Sequence, residues 1–183
     1  MPRLFSGIEI PRPIGDRLAM LKAPLPGARW VDPDNYHVTL RFIGDVDDIA
    51  AREFAANLDR VRAAPFDLTL DGLGSFGRGK PHSIWARVAP CAALDALQRA
   101  HERAARSAEL PPESRQFHAH VTVARLRNTR PEAVARYLEQ RGAFYSGPFR
   151  VSRFVLFSSR ASTGGGPYVV EEDYPFELAG SPA

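Results

Sequence analysis

Two nearly identical tetrapeptides, His37-Val38-Thr39-Leu40 and His120-Val121-Thr122-Val123, stand in corresponding places of the two halves of this chain. The sequence holds five histidines and five threonines. Two histidines each followed two places later by threonine would arise by chance in less than roughly one case in a hundred. Both tetrapeptides lie in runs rich in β-branched and apolar residues, which read as strands. Side chains at i and i+2 of a strand share a face. His37 and Thr39 therefore point one way while Val38 and Leu40 turn into the core, and His120 and Thr122 are set likewise against Val121 and Val123. Each strand offers one imidazole and one hydroxyl to a cleft.

The rest of the chain supplies short strands and a few helices, with no linker long enough to separate independent domains. Strands are expected over residues 4–10, 36–43, 66–73, 82–88, 118–126, 149–158 and 168–176. Helices are expected over 14–22, from the Asp47-Asp48 cap to about 62 with Ile49, Phe54, Leu58 and Val61 on its apolar side, over 92–108 with Leu94, Leu97 and Ala104 inward, and over 131–140. A glycine-rich connection, 74–81, joins two strands as in a hairpin. Strands mixed with helices through both halves give an α+β class with mostly antiparallel pairing.

With 183 residues, 44% of them hydrophobic and 25% charged, the chain is long enough and apolar enough for a packed core. The single cysteine, Cys91, excludes an internal disulfide and any multi-cysteine metal site. No run of 18 apolar residues occurs and the amino terminus lacks a secretory pattern, so a cytoplasmic protein outside the membrane is expected. The net charge is only +3, yet all the cationic residues except Lys22 and Lys80 are arginines. Arginine suits phosphate and base stacking because its guanidinium is planar and forks onto oxygens.

Two facing imidazoles form an acid/base pair. With an ordinary pKa of ~6.5, one can be neutral and the other protonated near pH 7. That equipment hydrolyses a phosphodiester without a metal, and threonine hydroxyls can donate to the non-bridging phosphoryl oxygens whose charge must be held.

The paired motifs, the segment Trp30-Val31-Asp32-Pro33 leading into Asn35-Tyr36-His37-Val38-Thr39-Leu40-Arg41-Phe42-Ile43-Gly44, and the opening Arg3-Leu4-Phe5 resemble the 2H phosphoesterases, and within them the RNA 2′,3′-cyclic phosphodiesterases, also called 2′-5′ RNA ligases. Gly72-Leu73-Gly74-Ser75-Phe76, Ile84-Trp85-Ala86 and Phe154-Val155-Leu156-Phe157-Ser158-Ser159 fit as well. The chain departs from the family pattern at Ala119, where proline is usual. The resemblance implies one domain over 1–183, built of two interlocked pseudo-symmetric lobes that each bring one motif to a central cleft. It implies hydrolysis of an RNA 2′,3′-cyclic phosphate end to a 2′-phosphate with no cofactor and no metal, His120 serving as base and His37 as acid, Thr39 and Thr122 binding phosphate. The expected partner is an RNA end or a small cyclic nucleotide, met by a monomer. End joining through a 2′-5′ linkage, hydrolysis of another small cyclic nucleotide, and a non-catalytic RNA-end-binding module are the alternatives.

Phe42 and Arg125 stand five residues after their respective histidines, and both types stack on bases. They are expected to flank the terminal base from opposite lobes, although strict alternation turns them away from the histidines. In the other reading Phe42 is core and Arg125 meets solvent or phosphate. Arg41 shares the parity of His37 and is read either as a phosphate contact or as an exposed arginine. His82, His101 and His118 are read as structural or solvated. A strand His118-Ala119-His120 can also hold a metal, but no carboxylate or cysteine at ligand spacing accompanies it. The loops around 76–80, Arg160 and 164–166 are candidate RNA contacts.

Overall fold

The structure is a computed structural model that describes residues 3–159 and 166–177; Arg160, Gly164 and Gly165 lie outside the described residues. Nine strands, β1 (Arg3–Glu9), β2 (Ala28–Trp30), β3 (His37–Asp45), β4 (Phe66–Phe76), β5 (Ser83–Val88), β6 (His120–Leu126), β7 (Tyr145–Val151), β8 (Arg153–Ser159) and β9 (Tyr168–Pro175), alternate with four helices, α1 (Arg12–Ala19), α2 (Asp48–Leu58), α3 (Ala92–Ser107) and α4 (Pro131–Arg141). The strands form one path in the order β7-β4-β5-β6-β3-β1-β8-β9, with β2 added beside β6. Every pairing among the described residues is antiparallel.

The path divides at its centre into two equivalent wings. In one, β3 is followed outward by β1, β8 and β9; in the other, β6 is followed by β5, β4 and β7. The wings do not follow the order of the chain, since β8 and β9 come from its end and join β1 and β3 from its beginning. The expected strand over 149–158 is two strands. It breaks at Ser152, after which β8 pairs with β1 in one wing while β7 pairs with β4 in the other. Chain continuity across this single residue straps the wings together.

Helices cover the back of the wings. On α3, Leu94, Leu97 and Ala104 are buried as their spacing predicts. His101 is also fully buried; its Nδ1 lies 2.7 Å from Ser6 Oγ and its ring meets Phe154 edge-on at 4.4 Å. On α2, capped by the Asp47 side chain at Ala50 N, Phe54 and Leu58 are buried, but the helix stops at Leu58 and Ile49 is 72% exposed. Behind the other wing, α4 packs on β4, and Tyr137 of α4 donates to the Leu21 carbonyl at 2.8 Å.

Three local differences from the expected elements matter for the site. The glycine-rich connection is shorter than expected because β4 runs on through Phe76. The strand β6 begins at His120, leaving His118 and Ala119 outside it. An unexpected short helical turn, Pro33–Asn35, capped by Asp32, leads directly into His37.

Arg41 is not exposed, and although it borders the cleft its guanidinium is held by protein groups. It is buried and donates through Nε to Glu102 of α3 at 2.6 Å, through Nη1 to the Phe42 carbonyl at 2.5 Å, and through Nη2 to the Pro111 carbonyl. Glu102 also accepts from Glu113 N at 3.2 Å. The pair thus holds the segment 111–113 against β3. Removing one partner of such a pair strands the other charge, which costs far more than the pair itself contributes. Arg41→Ala is expected to lower the unfolding free energy by about 3 kcal/mol in urea titrations. An Arg41→Met, Glu102→Leu double variant should recover much of that loss.

Candidate active site

The two motif strands touch at one residue pair, Val38 opposite Val121. These are the same position of each tetrapeptide, so the antiparallel contact is a local two-fold axis. In such a pair opposite residues share a face. The neighbours of the axis, His37, Thr39, His120 and Thr122, therefore all point to one side of the sheet, and Val38 and Val121 point into the core with no exposed area.

After each threonine the strand bulges. Along β1, Glu9, Ile8 and Gly7 pair with His37, Val38 and Thr39, and Ser6 then pairs with Arg41, so Leu40 is the extra residue. Along β5, Arg87, Ala86 and Trp85 pair with His120, Val121 and Thr122, and Ile84 then pairs with Ala124, so Val123 is the extra residue. A bulge resets the alternation. Arg41 and Ala124 turn to the buried side, and Phe42 and Arg125 turn to the face of the histidines. Both are exposed. The parity objection to Phe42 and Arg125 is thereby removed. Because the strands run antiparallel from the axis, however, Phe42 lies toward the His120 end of that face and Arg125 toward the His37 end.

Both imidazoles are oriented in the same way. His37 Nδ1 lies 2.8 Å from the Asn35 carbonyl and His120 Nδ1 lies 2.5 Å from the His118 carbonyl. A carbonyl oxygen only accepts, so Nδ1 carries the proton in each ring and Nε2 is left to the cleft. His37 Nε2 lies 3.1 Å from Thr39 Oγ1, whose hydroxyl donates to it.

The surroundings differ. His37 is packed among Phe5 at 4.9 Å, Tyr168 at 5.0 Å and Phe157 at 5.5 Å between ring centres. Gly7, opposite Thr39, leaves room here, since a Cβ would stand 2.6 Å from the Val38 carbonyl oxygen and 3.3 Å from the Phe157 ring. Burial, aided by the charges of His120 and Arg125 and opposed by the Asn35 carbonyl, pushes His37 down to about 4. His120 meets Phe76 edge-on at 5.1 Å and Trp85 at 6.0 Å. Burial also lowers it, against the pull of the His118 carbonyl and with help from the nearby His118 and Arg125 charges.

His120 and Thr39 open onto a cleft of about 720 Å³ whose walls include Phe42, Phe76, Phe117, His82 and His118. His82 and His118 are exposed as expected, yet both line this cleft; His118 also supplies the carbonyl that orients His120. Phe117, which lines the cleft, and Tyr168, which packs on His37, escape a motif reading because only folding brings them to the site, whereas Phe76 already stands in the segment 72–76 that fits the family. No group of three or more metal-ligating side chains occurs among the described residues, and no described helix is long and apolar enough to cross a membrane.

Comparison with known proteins identifies the family and the fold. The LigT like Phosphoesterase family model matches residues 8–85 and 88–168. The chain belongs to this family. Among its LigT-like relatives, an RNA 2′,3′-cyclic phosphodiesterase from Aeropyrum pernix is 33% identical over 84% of this chain and 87% of its own length. The crystal structure of Escherichia coli LigT complexed with 3′-AMP superposes with a TM-score of 0.75 at 26% identity, covering 96% of this chain and 99% of that one. That of TT0787 of Thermus thermophilus, with a TM-score of 0.81 at 23% identity over 97% and 99%, shares the fold.

The buried rings set a pH dependence of stability. His37 and His101, held down to about 4 and about 3 in the folded chain, bind protons near ~6.5 once unfolded. Below that pH the unfolded state holds more protons, so stability is full above about 6.5 and falls as pH drops. Urea midpoints are expected to decline already between pH ~6.5 and ~5, before most carboxylates titrate. The decline should be shallower in His37→Ala.

Proposed function

We propose that this chain is a metal-independent RNA 2′,3′-cyclic phosphodiesterase in which His37 and His120 are the catalytic acid and base. The observation that carries the reading is the Val38–Val121 register, which turns both motif histidines and both motif threonines to one face. The names of the relatives and the 3′-AMP complex of a LigT-like structure support the substrate class.

In the proposed reaction, His120 Nε2 takes a proton from water as its oxygen attacks phosphorus. The bond from phosphorus to O3′ breaks, and His37 gives its Nε2 proton to O3′, leaving a 2′-phosphate. His120 suits the base because its ring faces the open cleft where water enters, and His37 suits the acid because its aromatic enclosure keeps water from the leaving oxygen. A ring held low gives up its proton readily. The bound phosphate, an anion beside His37, supplies the attraction that protonates it in the complex. Protonation reverses the bond with Thr39, because Nε2 then donates, and the hydroxyl proton of Thr39 is freed for a phosphoryl oxygen. Thr122 takes the equivalent place. Phe42 stacks on the terminal base at the cleft end, and Arg125 meets phosphate at the other. Since one chain carries both motifs, a cytoplasmic monomer operating as a single two-lobed domain suffices.

An RNA oligonucleotide ending in a 2′,3′-cyclic phosphate, incubated with chelator present, is expected to yield a 2′-phosphate end. His37→Ala and His120→Ala should each lower kcat by a factor of about 10² to 10⁴, while Phe42→Ala should mainly raise KM. A 3′-phosphate product, or wild-type turnover in both histidine variants, would overturn the assignment.

A further inference from the structure

The turn between β4 and β5 borders the cleft through Phe76, Gly77 and His82. Phe76 opposite Ser83 is the last pair of the two strands, and the chain beyond it is held tightly. His82 N donates to the Phe76 carbonyl at 3.0 Å, and Leu126 N donates to the His82 carbonyl at 2.9 Å, tying the turn to β6. Gly77 has a φ of +91°, and a Cβ there would stand 2.2 Å from the Lys80 carbonyl oxygen. Only glycine allows so close a return of the backbone.

An aromatic column runs out from the histidine face through this turn. The His120 ring meets Phe76 edge-on at 5.1 Å, and Phe76 stacks on His82 at 6.1 Å with 27° between the planes. His82, at the outer end of the column, is exposed. Phe42 belongs to a different wall, on β3. The cleft therefore has two aromatic platforms, and the terminal base placed on Phe42 uses one of them.

At the tip of the turn stand Arg78 and Lys80, both exposed and neither with a charge partner among the described residues. Glu113 is the one carboxylate among the described residues that line the cleft, and it accepts from Arg115 Nε at 3.2 Å. The cleft thus offers the tip no unanswered negative charge. Rings on the inside with cations beyond them are the combination that holds a single nucleic-acid strand, since every base has a face to stack and every linkage has a charge to neutralise.

We propose that the β4–β5 turn docks the strand that leads to the cyclic end. The exposed ring of His82, backed by Phe76, takes the base of the penultimate nucleotide, and Arg78 and Lys80 each meet one of the two phosphates on the 5′ side of that nucleotide. The inference rests on the function proposed above, and it makes an RNA end of several nucleotides a better substrate than a cyclic mononucleotide.

The test compares a cyclic mononucleotide, a dinucleotide and a tetranucleotide, each ending in a 2′,3′-cyclic phosphate on the same base, over a salt series. The wild type is expected to prefer the dinucleotide to the mononucleotide in kcat/KM. His82→Ala should shrink that preference about tenfold, the worth of one stacked base, with the mononucleotide unaffected, and His82→Phe should keep it. The double variant Arg78→Gln, Lys80→Gln should lower the salt slope on the tetranucleotide by about 1.4, for two phosphates on a single strand, and leave the slope on the dinucleotide as it is. A dinucleotide preference that survives His82→Ala, a loss shared equally by the mononucleotide, or an unchanged tetranucleotide slope would overturn the docking role and leave the phosphodiesterase reading intact. Should the wild type cleave none of the three, that reading falls. Binding of a fluorescent tetranucleotide with a 2′-phosphate end then decides the docking role: weaker binding in His82→Ala supports it, and unchanged binding overturns it.

Discussion

The whole site hangs on one cross-strand contact, Val38 opposite Val121. Both valines are fully buried, so the register cannot slip without carrying aliphatic side chains out of the core and histidines into it. Because the paired residues are equivalent positions of two similar motifs, every later feature appears twice. Each histidine donates its Nδ1–H to a carbonyl two residues upstream, each threonine is followed by an extra buried residue, and each bulge swings a side chain, Phe42 or Arg125, back to the face of the histidines.

Symmetry in the backbone does not make the two ends alike. His37 sits behind Phe5, Phe157 and Tyr168, while His120 borders the open cleft. The difference arises from which strands flank each motif. β1 and β8 bring a small aromatic cluster around Phe5, Val155 and Phe157, whereas β4 and β5 bring Phe76 and Trp85. The proposed reaction, in which one group accepts a proton from water and another delivers one to a leaving oxygen, draws on such unequal enclosure. The buried pair Arg41 and Glu102 has a supporting part, since it ties β3, α3 and the segment leading to Phe117 and His118, which forms one cleft wall.

How much of this could be read in advance varies with the range of the interaction responsible. The strands carrying the motifs, the helix with Leu94, Leu97 and Ala104, and the α+β class follow from local periodicity, which the folded chain keeps. Strict alternation failed at Leu40 and Val123. Both are aliphatic residues in good strand context, and nothing local distinguishes a bulged residue from a paired one; the partner strand decides. For the same reason Arg41 looked like a cleft residue and proved to be a buried one. Ser152 is another such case, because a break between β7 and β8 depends on pairing with β4 and β1, strands distant in the chain.

By itself the sequence determined the chemical types and their local sides: two imidazoles, each with a hydroxyl two residues on, backed by aliphatic residues, in a chain with one cysteine. Strand geometry alone makes that inference safe, because the two-residue period is a property of the backbone. Only the tertiary structure decided that the motifs meet back to front at their second residue, that Phe42 and Arg125 stand at opposite ends of the histidine face, and that Arg29 faces Arg125. Those outcomes come from registers between strands far apart in sequence. A register is chosen by burying whole faces at once, which no single segment specifies.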